Sequence, residues 1–186
     1  MKKTLSEMTN EELWQLFPIF LTEHRAEWEI WYDEELKVLE KILPARKVER
    51  ISHIGSTAIK DIWAKPIIDM LVEVKNDCDL HTVRDILTDN GYICMTETTE
   101  RISFNKGYTE NGFAEKVYHL HLRYPGDADE VYFRDYLNEN PHLAKQYEEL
   151  KLHLWKRYEH DRDGYTEKKS DFVRSSTLSA IIFFSR

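Results

Sequence analysis

The sequence predicts an α/β (α+β) fold, in which helices pack on a mixed β-sheet and the C-terminal part is helical. Three observations support this class: apolar residues at helical spacing near the N-terminus, β-branched runs in the middle, and helical patterns in the last third. The 186 residues fit one domain. Within the single domain 1–186 we expect N-terminal helices (1–45), a sheet core (46–125) and C-terminal helices (126–186).

The N-terminal helices have recognisable boundaries. Thr9 and Glu12 have the spacing of a capping box, so a short helix should begin after Thr9. A second helix is predicted over residues 26–43, because its apolar residues recur every three to five positions. It should end before Pro44, which a helix interior does not accommodate.

The sheet core begins with a strand predicted over residues 48–54, which are rich in β-branched side chains and free of chain breakers. The segment Gly55–Thr57 follows as a turn that is able to open a helix. Residues 66–74 then form a nearly continuous apolar run, typical of a buried strand, with Asp69 in its middle.

The later elements follow from glycines, prolines and alternating patterns. They are a helix over 79–90 closed by Gly91, strands near 92–95, 101–105 and 116–123, a polar turn over 107–112, a loop over 125–127, and three C-terminal helices separated at Asn140-Pro141 and Asp163-Gly164. This order favours a mixed sheet with helices on one face and a helical C-terminal part.

Composition limits the partners and the location of the protein. The formal net charge is -8 and no block of basic residues is present, which disfavours a polymeric nucleic-acid partner. The sequence shows no export signal and no run of about 18 apolar residues, so we expect a cytoplasmic protein without a membrane partner. Cys78 and Cys94 lack the spacing of a zinc site and are interpreted as reduced, small apolar residues.

Two motifs separated by a short spacer carry most of the chemical information. They are His53–Ala58, with the sequence HIGSTA, and Ala64–Asp69, with the sequence AKPIID. Together with HLHL at His119–Leu122 and FRDYL at Phe133–Leu137, they resemble the GrpB family, in this order and over most of the chain. Residues Ile59–Ile62 depart from the family's usual pattern in that turn.

The resemblance to the GrpB family implies a nucleotidyltransferase-like fold. In that fold, a Gly-Ser turn at the start of a helix holds a triphosphate, and carboxylates on the adjacent strand hold Mg²⁺ or Mn²⁺. Asp69 matches the metal-binding position, and we expect it to share one cleft with the turn. The candidate nucleotide-binding residues are Gly55, Ser56, Thr57, Lys65 and Arg123.

The carboxylates differ from those of a working nucleotidyltransferase. Leu71 occupies the position of the second carboxylate, and Glu73 lies roughly 13 Å along the strand from Asp69. His119 and His121 alternate instead on one face of a later strand. With Asp69 they make a two-histidine, one-carboxylate set that suits a Zn-like transition metal, so these three are the candidate metal ligands and catalytic residues.

Three hypotheses about function remain open at this point. The first is metal-dependent nucleotide binding, or nucleotidyl transfer to an unidentified acceptor. The second is a non-catalytic domain that binds a nucleotide or another phosphorylated small molecule. The third is a single-metal hydrolase or transferase that uses Asp69, His119 and His121.

The roles of three further residues are open. His53 is interpreted either as a residue of the cleft or as a brace of its strand. Lys151 and Lys169 match positions that the family keeps, and their roles are not assigned.

Overall fold

The computed structural model describes residues 3–126 and 128–185. Asp127 of the predicted loop and the ends of the predicted domain, residues 1–2 and 186, lie outside the described residues. The helices are α1 (Asn10–Leu16), α2 (Glu27–Ile42), α3 (Leu80–Asp89), α4 (Asp129–Glu139), α5 (Pro141–Tyr158) and α6 (Arg162–Phe184). The strands are β1 (Val48–Ile54), β2 (Ile68–Val74), β3 (Ile93–Glu97), β4 (Arg101–Thr109) and β5 (Gly112–Arg123).

The strands form one mixed sheet in the order β1-β2-β5-β4-β3. Strands β2 and β5 are parallel, and the other neighbouring pairs are antiparallel. The register aligns Asp69 with His119, and Leu71 with His121. This mixed sheet with helices packed on it confirms the predicted fold class.

The two faces of the sheet differ in chemistry, because side chains alternate along a strand. Met70 lies on one face, in a hydrophobic core shared with α2 and α3. Asp69 and His119 lie on the opposite face, where Leu71 shares a smaller buried cluster with Val131 of α4. The C-terminal helices therefore cover the second face, and the prediction of helices on one face is corrected.

The C-terminal helices are fixed by a separate apolar cluster. Ile59 and Ile62, from the connection between β1 and β2, pack with Leu137 of α4 and Tyr147 of α5. The ring of Tyr147 stacks on Phe172 of α6, with a centroid distance of 5.3 Å. This packing holds α5 and α6 over the polar face of the sheet.

Within residues 3–126 and 128–185, no helix has both the length and the apolar character that crossing a membrane requires.

The predicted bounds of the polar turn and of the last helix break are wrong. The polar turn is shorter than residues 107–112, because β4 continues to Thr109 through a register shift at Gly107, whose φ is +88°. The break between α5 and α6 lies before residue 162 and not at Asp163-Gly164. The side chain of Asp161 accepts a hydrogen bond from the N–H of Gly164 at 2.9 Å and so caps the start of α6.

A buried ion pair links α2 to the sheet and allows a test of the fold. Glu35 accepts hydrogen bonds from Lys106 Nζ at 2.5 Å and from the hydroxyl of Tyr92 at 2.6 Å. We expect Lys106→Met to lower the free energy of unfolding by about 2 kcal/mol, because it leaves a buried carboxylate with one donor fewer. The control is Lys116→Met, whose partner Glu34 is half exposed, and it should cost about 1 kcal/mol or less. Equal losses in urea unfolding would contradict this assignment.

Candidate functional site

The turn after β1 lies directly over the carboxylate of Asp69. Ile54, the last residue of β1, is aligned with Asp69 on β2. Gly55 has a φ of +72°, and a Cβ atom there would lie 2.8 Å from Cγ of Asp69 and closer still to Oδ2. Only glycine fits this position without moving the carboxylate. Ser56 and Asp69 line the same cleft, which confirms the predicted adjacency.

The predicted helix after Gly55 is a single 3-10 turn, Ser56–Ala58. The turn therefore lacks the macrodipole of a longer helix. Thr57 is buried, and its hydroxyl donates a hydrogen bond to the carbonyl oxygen of Ile67 at 3.1 Å. Thr57 does not line the cleft, so its predicted role in nucleotide binding is corrected.

His53 braces the strand and the turn. Its ring stacks on Tyr32 with a centroid distance of 4.8 Å, and its Nε2 lies 3.0 Å from the hydroxyl of Thr57. Arg134 of α4 donates a hydrogen bond to the carbonyl oxygen of His53 at 2.6 Å. Burial lowers the pKa of His53 to about 4, so the ring is neutral at pH 7.

The cleft between the polar face of the sheet and the C-terminal helices has two adjoining parts. We call the first the basic compartment, a cavity of about 210 Å³ whose polar lining is Ser56, Lys65, Asp69, His119, Lys151, Arg162, Thr166 and Lys169. We call the second the groove, a wider cavity of about 650 Å³ whose apolar lining includes Ile54, Phe133, Val173, Leu178 and Ile181. Four residues line both parts: Ser56, Asp69, Thr166 and Lys169.

The basic compartment is rich in positive charge. Four cationic side chains, Lys65, Lys151, Arg162 and Lys169, line it, and among the described residues Asp69 is the one carboxylate that lines it. Burial, together with Arg162 and Lys169, lowers the pKa of Lys65 from 10.5 to about 7. Burial and Lys169 lower the pKa of Lys151 to about 7 in the same way. The compartment is therefore short of negative charge.

Lys151 is the most deeply buried of these cations. Its side chain is 1% exposed, its Nζ donates a hydrogen bond to the carbonyl oxygen of Trp63, and it lies 4.7 Å from the ring centroid of Tyr147. The nearby Glu148 accepts from the backbone N–H of Trp63 at 2.6 Å and raises the pKa of Lys151 in part. An ammonium group is thus held at the cleft by α5.

A chain of hydrogen bonds fixes the carboxylate of Asp69. Arg162 donates to the hydroxyl of Tyr108 at 3.2 Å, and this hydroxyl lies 2.8 Å from Nε2 of His119. Nδ1 of His119 lies 3.1 Å from Oδ1 of Asp69. Since a carboxylate accepts only, we assign the proton to Nδ1, so that Nε2 accepts from Tyr108. Burial lowers the pKa of His119, although the hydrogen bond to Asp69 opposes this effect.

Comparison with known proteins identifies the family. A sequence profile described as GrpB protein matches residues 18–178. This chain belongs to the GrpB family. It is 37% identical over 161 residues to the glutamate-rich protein GrpB of Alkalihalophilus pseudofirmus, covering 83% of this chain and 91% of that protein. It is 30% identical over 160 residues to the UPF0157 protein YqkA of Bacillus subtilis, covering 84% of this chain and 46% of that protein.

A solved structure supports the same assignment. The crystal structure of the conserved protein GrpB from Enterococcus faecalis superposes with a TM-score of 0.78 and 27% sequence identity. The match covers 90% of this chain and all of that chain. The predicted resemblance to the GrpB family is therefore confirmed.

The residues of this GrpB chain do not fit the metal centres that the sequence suggested. Among residues 3–126 and 128–185, no three or more His, Cys, Asp or Glu side chains are grouped to hold a metal ion. Both ring nitrogens of His119 already have partners, and His121 lines only the groove. Leu71 is buried, and Glu73 is paired with Arg50 at 2.6 Å. Within the described residues, Asp69 is therefore the only carboxylate that lines the basic compartment, while Asp129 and Glu130 line only the groove.

Of the two cationic residues predicted to contact a nucleotide, Lys65 lines the cleft and Arg123 does not. Lys65 lines the basic compartment, as do Lys151 and Lys169, whose roles were left open. Arg123 does not line either part of the cleft, because its buried guanidinium is directed to Glu130 of α4, with Nη2 at 2.5 Å from Oε2. The predicted phosphate contact by Arg123 is corrected.

Sequence reasoning missed two residues of the site, Tyr108 and Arg162. Tyr108 lies in a segment predicted as a turn, and Arg162 lies directly before the predicted helix break at Asp163-Gly164. Their hydrogen-bond partner His119 is 11 residues from Tyr108 and 43 residues from Arg162. No local pattern connects positions so far apart in the chain, so only the fold brings them together.

Proposed function

We propose that this GrpB-family chain binds a nucleotide or another phosphorylated small molecule, with a phosphate group in the basic compartment. The observation that carries the proposal is the grouping of three lysines and an arginine around one small cavity. Phosphate oxygens accept strong hydrogen bonds from ammonium and guanidinium groups. The excess of positive charge is local, since the whole chain has a net charge of -8.

The protonation of the lysines supports the same ligand class. Lys65 and Lys151 lose part of their charge near pH 7, because burial and neighbouring cations oppose it. A bound phosphate dianion would favour the charged forms of both amines. We therefore expect phosphate binding to take up protons at pH 7 to 8 and to weaken as the pH rises further.

Nucleotidyl transfer is the second candidate, because Ser56 and the Asp69 carboxylate share the cleft. Such transfer normally uses divalent metal held by two or more carboxylates. Asp69 is the only carboxylate that lines the basic compartment among the described residues. A single carboxylate in the compartment favours ligand binding over nucleotidyl transfer. The two candidate functions therefore differ in whether nucleotide binding requires a divalent metal.

The binding proposal is tested with two adjacent lysines of α6. Lys169 lines both parts of the cleft, with its Nζ 4.4 Å from the ring centroid of Tyr165, whereas Lys168 is exposed and lines neither part. We expect Lys169→Met to weaken the binding of pyrophosphate and ATP about tenfold or more, the effect of losing one charged hydrogen bond. Lys168→Met should leave the affinity unchanged, as measured by isothermal titration calorimetry.

The titrations are run in EDTA and again in Mg²⁺. Binding of pyrophosphate or ATP in EDTA, lost with Lys169→Met and kept with Lys168→Met, is the expected result. Equal losses in both variants, or no binding of any phosphate compound, would contradict the proposal. ATP binding that requires Mg²⁺ and disappears in Asp69→Asn would instead favour nucleotidyl transfer.

A further inference from the structure

The two parts of the cleft differ in what they accept, and a ligand that occupies both would lie beside Asp69 and Lys169, which line both parts. The basic compartment is cationic, and its volume of about 210 Å³ is smaller than a typical small-molecule site of roughly 300 to 1,000 Å³. The groove, at about 650 Å³, falls within that range. The compartment therefore suits the anionic end of a ligand, and the groove suits its larger body.

The groove has an apolar wall that suits a flat organic group. Phe133 of α4 and Val173, Leu178 and Ile181 of α6 contribute this wall. Leu178 is 58% exposed, so an apolar ligand group would remove water from it. A phosphate group makes no favourable contact with apolar side chains. A phosphorylated ligand should therefore place its phosphate in the basic compartment and its organic part in the groove.

Asp69 places an ionised hydrogen-bond acceptor at the junction of the two parts. Burial by itself raises the pKa of Asp69, but the hydrogen bond from His119 and the surrounding positive charges lower it overall, so the group is ionised at pH 7. Its Oδ1 accepts from His119, and a carboxylate has no proton to donate. A hydroxyl group of a ligand at the junction would donate a hydrogen bond to this carboxylate, beside the ammonium group of Lys169, which also lines both parts.

Resting on the proposed function, we propose that the ligand is a nucleoside monophosphate, with its phosphate in the basic compartment, a ribose hydroxyl donating to Asp69, and its base in the groove. The order of the three groups follows the order of the lining: cations, carboxylate, apolar wall. No divalent metal is required, because the lysines and Arg162 supply the positive charge that the phosphate needs.

The experiment is calorimetric titration of the full chain in EDTA with inorganic phosphate, AMP and 2′,3′-dideoxy-AMP. AMP should bind more tightly than inorganic phosphate, because its base adds the contact with the groove. The dideoxy compound should bind about tenfold or more weakly than AMP, the effect of one hydrogen bond to a charged group. In Asp69→Asn, the ratio of the affinities for AMP and the dideoxy compound should fall towards one.

The outcomes separate this inference from the proposed function. If inorganic phosphate binds but AMP and the dideoxy compound bind equally, the inference is wrong and the proposed function stands. If no phosphate compound binds, both fail. The comparison of ligands needs no variant, so it decides the matter even if Asp69→Asn does not fold.

Discussion

Replacing Gly55 with alanine is expected to lower the free energy of unfolding by roughly 3 to 5 kcal/mol. Two costs add at this position. With a φ of +72° and a ψ of -172°, the backbone lies in a region that is essentially restricted to glycine. The new Cβ would also lie 2.8 Å from Cγ and 2.9 Å from Cβ of Asp69, so this partly buried carboxylate must move and its hydrogen bond to His119 is disturbed.

The control for this prediction is Gly91→Ala. Gly91 also has a positive φ, +86°, but a Cβ atom there would have no neighbour within 4 Å. Gly91→Ala should therefore lower the free energy of unfolding by only about 1 kcal/mol, the cost of placing alanine at a positive φ. Urea unfolding of the two variants measures the difference. Equal losses would show that the contact between Gly55 and Asp69 is not the source of the effect.

The second large effect is on the pH dependence of stability, through Lys151. Its pKa falls from 10.5 to about 7 on folding. Below pH 7 both states hold the proton, and the folded state bears the full cost of burying the charge. Between pH 7 and 10.5 the unfolded chain holds a proton that the folded chain has lost, so the free energy of unfolding should rise with pH. The contribution is up to about 1.4 kcal/mol per pH unit.

Lys151→Met should remove this contribution and make the rise in stability between pH 7 and 10 less steep, leaving the contribution of Lys65, whose pKa is also lowered to about 7. The absolute stability of the variant is less informative, because the carbonyl oxygen of Trp63 loses its donor. The matched control is Lys156→Met on the same helix, since Lys156 is exposed. Unfolding in urea at several pH values measures the slope. The assignment fails if Lys151→Met and the wild type have the same slope.

The fold class was predictable because it depends on short-range patterns. The apolar run that became β2, the capping box at Thr9 and the helix before Pro44 each depend on residues within a few positions of one another. Gly55 and Asp69 were also predictable as neighbours, since a short connection joins adjacent antiparallel strands. Hydrophobic periodicity and turn chemistry act locally, and they are visible in the sequence.

The chemistry of the cleft depended on contacts between distant segments. The sequence alone identified Asp69, Lys65 and the GrpB family, but it left Lys151 and Lys169 unassigned. Only the packing of α5 and α6 over the sheet groups these amines around one cavity, and only burial lowers the pKa values of Lys65 and Lys151.

The tertiary structure also decided what His119 does. The spacing of the two histidines favoured a metal site with Asp69. In the fold, Asp69 and Tyr108 occupy both ring nitrogens of His119, which leaves neither nitrogen free for a metal ion. The sequence thus determined which residue types lie on the polar face of the sheet. Their partners depended on long-range packing, because a side chain's hydrogen bonds, burial and charge state are set by whatever the rest of the chain brings next to it.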